Sequence, residues 1–251
     1  MATRKTGKSP VSASNVINDP KQTLQTFKLS DLEQYTSEGA YSANASSDVH
    51  LFYVGRDDVH DILKYIISRV SISLYINMYG YDDSELNDIL MTLAKDPSVT
   101  MLVTLDRSQA KGVAEAGILD ADFIKNAAAF NTHFVIGESL THQISHTKGF
   151  VADGRVAVEG STNWSTTGEG IFVVGADGKA VAGGPGFKAQ NNTACVITDP
   201  DTITRFQTEL IREHMAAQSQ PNSSPAEFFA NFKAKTPVKT SAKKSAKKSA
   251  S

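Results

Sequence analysis

Residues 146–163 read HTKGFVADGRVAVEGSTN, a histidine, a lysine, an aspartate, a serine and an asparagine set among apolar runs. In a strand, side chains alternate, so His146, Lys148, Phe150 and Ala152 share one face and Thr147, Gly149, Val151 and Asp153 the other. Imidazole and ammonium then project together, about 7 Å apart along the strand. The Asp-Gly pair at 153–154 turns the chain, and RVAVEGSTN starts a second strand in which Ser161 and Asn163 again share parity. With parity opposite to His146, Asp153 is a poor direct partner for the imidazole and a better clamp for backbone or a turn.

Such a set suits phosphate. Lys148 neutralises charge on oxygen, Ser161 and Asn163 donate hydrogen bonds, and His146 is the side chain able to act as nucleophile or proton carrier near neutral pH. The stretch lacks the carboxylates that Mg²⁺ needs, and a lysine supplies the charge a metal would bring. No metal and no cofactor are expected. His133 and His142 lie nearby in sequence without ligand spacing, Trp164 reads as a packing residue, and Cys195 as a small core residue.

The pattern H146-T-K148-x4-D153-x6-G160-S161-T-N163 matches in full the HxK(x)4D(x)6GSxN signature of the phospholipase D superfamily, and the chain resembles its small bacterial endonuclease branch. Six fixed residues at about 5% each would coincide by chance in on the order of one chain in 10⁵. The resemblance implies a catalytic group of His146, Lys148 and Asp153, with Lys148, Ser161 and Asn163 binding the substrate phosphate. It also implies a mechanism. One histidine attacks phosphorus and forms a phosphohistidine, a second protonates the leaving oxygen, and water activated by that second histidine releases the phosphate. This chain has no second HxK pair, so the expected assembly is a homodimer that pairs two copies of His146 across a two-fold axis. In the small endonucleases a glutamate at the start of the last long strand orients the histidine. Here that place falls on Asn192, which carries no charge, and Glu169 in the preceding loop is the other candidate.

Periodicity sets out the strands and helices around this motif. HLFYVG (50–55) reads as a strand. Val59, Ile62, Leu63, Ile66, Ile67 and Val70 then repeat as one helix face. SISLYINMYGY (71–81) alternates, with Ile72, Leu74, Ile76 and Met78 on one side. Asp82 and Glu85 form a capping pair for a helix that buries Leu86, Ile89, Leu90 and Leu93. TMLVTLD (100–106) and HFVIGES (133–139) are strands around a helix at 113–130. TACVIT (193–198) is the last strand, after which Asp199 caps a helix with Pro200 at its first position. The alternation predicts an α/β fold with a mixed, largely parallel sheet sandwiched by helices.

Three segments make up the chain on this reading: a linker at 1–48 with a short helix in FKLSDLEQY, a phospholipase D-like domain at 49–218, and a Lys/Ser/Ala-rich disordered tail at 219–251. A Gly-rich insertion at 165–190 interrupts the domain, with Asp177-Gly178 as its hairpin signal.

The overall charge of −2 hides basic ends: +3 over 1–21 and +7 over 233–251, leaving −12 for 22–232. One cysteine excludes an internal disulfide framework. With no apolar leader and no spanning run, a cytoplasmic protein without a stable membrane anchor is expected. The function expected is a metal-independent phosphodiesterase that acts on DNA or RNA, the basic tail assisting by phosphate contact. The alternatives are a phospholipase D-type lipid phosphodiesterase or phosphatidyltransferase, and a catalytically weak nucleic-acid-binding protein.

Overall fold

The computed structural model describes residues 23–141, 144–170, 172–174, 180–182 and 189–235. Strand β1 (Val49–Tyr53) leads through helix α1 (Val59–Ile67) to β2 (Ser73–Met78), then α2 (Ser84–Leu93) and β3 (Thr100–Asp106). Helices α3 (Val113–Lys125) and α4 (Ala127–His133) precede β4 (Phe134–Gly137). Strands β5 (Lys148–Ala152) and β6 (Val156–Gly160) carry the motif. The one-turn helix α5 (Thr166–Glu169) follows, then β7 (Phe172–Val174) and β8 (Ala180–Ala182). Strand β9 (Thr193–Ile197) and helices α6 (Pro200–Gln218) and α7 (Pro225–Lys235) complete the order.

The main sheet runs β1-β9-β6-β5-β2-β3-β4. Only β2–β3 and β3–β4 pair in parallel; the other four contacts are antiparallel. The expectation of a largely parallel sheet is therefore corrected to a mostly antiparallel one. The cause is the motif itself. Asp153 and Gly154, at φ 52° and 62°, make a tight turn whose twist suits a hairpin. That hairpin enters the middle of the sheet between β2 and β9 rather than extending it by a helical crossover.

Helices α1 and α2 cover one face. Val59, Ile62, Leu63, Ile66 and Ile67 of α1 are buried, as are Leu86, Ile89, Leu90 and Leu93 of α2. Leu74, Ile76, Met78, Phe150 and Ala152 join that larger core, whereas Ile72 precedes its strand and is exposed. On the other face, Val151 and Ala157 pack against Ile203 and Leu210 of α6. The α2 cap is Asp83, which accepts from Leu86 N at 2.8 Å, not Asp82 as expected. Asp199 caps α6 through Thr202 N, with Pro200 leading the helix.

The packed body is longer than the sequence reading placed it. In the segment expected as linker, Leu29–Tyr35 forms a 3-10 helix. Leu29, Leu32 and Tyr35 recur every three residues, one face of a 3-10 helix, and Leu24, Leu29 and Leu32 are buried in the core. Beyond 218, Phe228 and Phe229 of α7 are buried and Phe229 packs against Phe123 at 5.3 Å between ring centroids. The KKSA repeats lie outside the described residues, as do residues 175–179 between the antiparallel pair β7 and β8. Among the described residues, no helix is long and apolar enough to cross a membrane.

Candidate active site

Strands β1, β2, β3, β4 and β6 end where β5 and β9 begin, so one rim of the sheet collects their termini. His146 and Lys148 start β5 at this rim, and Ser161 and Asn163 follow β6 at the same rim. The register Met78↔Lys148 continues past the strands, and Tyr79 N donates to Thr147 O at 3.1 Å. The Tyr79 ring thereby lies against that of His146, with centroids 4.3 Å apart. Lys148 Nζ sits 4.7 Å from the same ring and donates to His146 O at 2.7 Å.

His146 is exposed while Lys148 is buried. Burial lowers the ammonium pKa, and the carboxylates of Glu159 and Asp106 pull against that shift. An exposed imidazole and a buried cation thus share the Tyr79 ring, and the charge of the cation is screened less there than in water.

Ser161 closes the rim on the β9 side. Its N–H donates to Thr193 O and its Oγ accepts from Thr193 N, both at 3.0 Å. The hydroxyl proton remains available for donation. Asn163 lies against Gly80, where an added Cβ would come within 3.0 Å of Asn163 Cγ. Glycine there lets the asparagine approach the backbone that follows Tyr79. Residues 79–80 therefore touch both halves of the motif. Asn163 Oδ1 is buried with no hydrogen-bond partner.

Asp153 is not part of this cluster. It follows β5 at the opposite end, roughly 17 Å of strand away, and accepts from Ser71 N and Oγ, Ile72 N and Ser73 N at 2.8–3.1 Å. Its expected place in the catalytic group is corrected: a carboxylate there reaches the start of β2, not the imidazole.

Both candidate orienting residues are also engaged elsewhere. Asn192 Nδ2 donates to Gly168 O and Gln190 Oε1. Glu169 Oε2 lies 2.5 Å from Nδ1 of His60, the second residue of α1. Burial pushes Glu169 up to about 7, against the pull of His60. Burial alone would lower His60, but hydrogen bonds and charge from Glu169, Asp83 and Glu85 outweigh it and raise its pKa to about 9. His60 Nε2 meets Glu85 Oε2 at 2.9 Å, and Nδ1 is 3.5 Å from Asp83 Oδ2. Ligand atoms of His60, Asp83 and Glu169 lie within 4.8 Å of one another.

Three residues escaped the sequence reading, two that position the motif and one in a separate cluster. Tyr79 lies one position past its strand, and only the pairing with β5 exposes its role. Asp106, buried at the end of β3, accepts from Ser145 N at 2.8 Å through Oδ2 and so holds the residue before His146. Its Oδ1 accepts from Ser108 N and Gln109 N, and the Gln109 Nε2 donates to Tyr79 Oη at 2.8 Å. His60 falls outside the apolar stripe of α1, and no local signal marks it.

A scan against protein-family models finds no match, and a comparison with curated proteins finds none either. Solved structures do match. The phospholipase D family member Nuc from Salmonella typhimurium aligns with 16% identity over 66% of this chain and 92% of its own, at a TM-score of 0.48. NucT from Helicobacter pylori aligns with 13% identity over 67% of this chain and 96% of its own, at 0.49. Phosphatidylserine synthase from Haemophilus influenzae Rd KW20 aligns with 13% identity over 81% of this chain, at 0.50, and the match spans 45% of that longer protein. With the seven-stranded sheet and the layered helices, this chain shares its fold with that phosphatidylserine synthase.

Proposed function

We propose that the chain is a metal-independent phosphodiesterase that cleaves DNA or RNA through a phosphohistidine, at a site shared by two copies. The observation that carries this reading is an exposed His146 ring and a buried Lys148 ammonium set against the same Tyr79 ring. The imidazole nitrogen forms a bond to phosphorus as the bond to the leaving oxygen breaks, and His146 of a second copy gives that oxygen its proton. Water then attacks phosphorus and passes its proton to the same second imidazole, and the N–P bond breaks. Lys148, with the hydroxyl of Ser161 and the amide of Asn163, binds the phosphate oxygens throughout. Each chain brings one such histidine, so a two-fold axis through the substrate phosphate supplies both roles.

The test is a substrate panel with the purified full chain in EDTA, wild type against His146→Ala. Cleavage of nucleic acid, lost by about 10³-fold or more in the variant, supports the reading. Headgroup release from phosphatidylcholine vesicles without nucleic-acid cleavage would assign a lipid phosphodiesterase instead. Binding of nucleic acid without turnover would leave only a binding role.

A further inference from the structure

A second cluster lies beside the motif loop and takes no part in the proposed reaction. His60 of α1, Asp83 at the cap of α2 and Glu169 at the end of α5 are far apart in sequence, and all three are buried. A cleft of about 340 Å³ opens on His60, Asp83 and Glu85. Its walls carry the carboxylates of Asp61, Asp82, Asp83 and Glu85 against the cations His60 and Lys64. Against His60, Glu169 is 2% exposed and its Oε1 is buried without a hydrogen-bond partner. A charged oxygen in that state is costly unless something binds it.

We infer that His60 Nδ1, Asp83 Oδ2 and a Glu169 carboxylate oxygen form a binding site for a zinc-class divalent cation, distinct from the His146 centre. One imidazole with two carboxylates favours zinc or its neighbours over Mg²⁺ and Ca²⁺, which take oxygen ligands alone. Tetrahedral bonds of about 2.0–2.1 Å set ligand atoms roughly 3.4 Å apart. The Nδ1–Asp83 Oδ2 edge, 3.5 Å, already has that length. The Nδ1–Glu169 Oε2 edge, 2.5 Å, is shorter, so the cation replaces that hydrogen bond and its proton leaves. Glu85 on Nε2 is the carboxylate that commonly fixes the far nitrogen of a ligating histidine. Asp83 keeps its cap on Leu86 N through Oδ1 and offers Oδ2. The cleft leaves room for water as a fourth ligand. Bound there, the cation ties α1, α2 and α5 together and pins the turn that carries Asn163.

The experiment is zinc titration of the full chain by calorimetry and thermal melting, with cobalt absorption as an independent readout. Expected are one saturable site per chain, a melting midpoint that rises with zinc, and visible cobalt bands of a four- or five-coordinate N/O site. Asp83→Asn and Glu169→Gln should each weaken binding by about tenfold or more, and His146→Ala should leave it unchanged. If Glu169→Gln fails to fold, Asp83→Asn, which retains an acceptor for the cap, and the wild-type cobalt spectrum still decide. No saturable uptake by the wild type, a six-coordinate hydrated cobalt spectrum, or binding that survives Asp83→Asn would each mean a closed ion network only and overturn the inference.

Discussion

The ring of Tyr79 lies against that of His146, centroids 4.3 Å apart and planes at 57°. It is braced from behind by Gln109 through its hydroxyl. A nucleophile on an exposed loop needs such a wall to hold one ring position. Tyr79→Ala is expected to lower turnover by about ten- to hundredfold. Tyr79→Phe, which keeps the ring and loses one hydrogen bond, should stay within about tenfold. Steady-state rates on a nucleic-acid substrate check this; equal losses in both variants would assign the role to the hydroxyl instead.

Asp106 holds the residue that precedes His146, the proposed nucleophile. Its Oδ2 accepts from Ser145 N while its Oδ1 holds the turn at 108–109. An amide accepts on one side only, so Asp106→Asn sets a donor against a donor. Turnover should fall by about tenfold with KM little changed. A rise in KM at unchanged turnover would point to substrate binding rather than placement of His146.

Asp153 serves stability. It accepts from three consecutive backbone N–H groups at the start of β2 while sitting at φ 52°. Asp153→Asn tolerates that backbone but loses the charge, and should cost about 1–3 kcal/mol in urea denaturation. Activity per folded molecule should change little. A stable variant with lost activity would return Asp153 to the catalytic group.

Glu115 gives a pH signature. It is buried, its Oε2 accepts from Tyr81 N, and its Oε1 has no partner. Burial, together with the charges of Asp82 and Asp106 and against the Tyr81 hydrogen bond, raises its pKa from 4.5 to about 8. With the folded value above the unfolded one, its contribution is fully present below about 4.5 and is lost as pH rises through about 8. Glu115→Gln should therefore gain melting temperature relative to wild type between about pH 5 and pH 9. A difference that stays flat across that range would contradict the assignment.

Part of the motif's placement was legible because it is local. The alternation in 148–152 and the Asp-Gly turn follow from strand geometry, and the stripe in α1 follows from helical period, whereas His146 precedes β5 and Ser161 and Asn163 follow β6 rather than continuing it. The sheet's direction was not legible, since alternating strands and helices do not say where a hairpin will insert. Glu169 and His60 are 109 residues apart, and Asp106 and Ser145 are 39 apart. Such partners exist only once the chain is folded. The same holds for Asn192, whose place before β9 was readable but whose Nδ2 donates to Gly168 O and Gln190 Oε1.

The proposed reaction requires a covalent bond between His146 and the substrate phosphate, formed without divalent metal. The direct measurement is a rapid acid-free quench of the full chain with end-labelled substrate in EDTA, followed by mapping of the labelled peptide. The expected result is an acid-labile, base-stable adduct on His146 that is absent in His146→Ala. Wild-type turnover in EDTA with no adduct at any quench time, or an adduct on another residue, would contradict it.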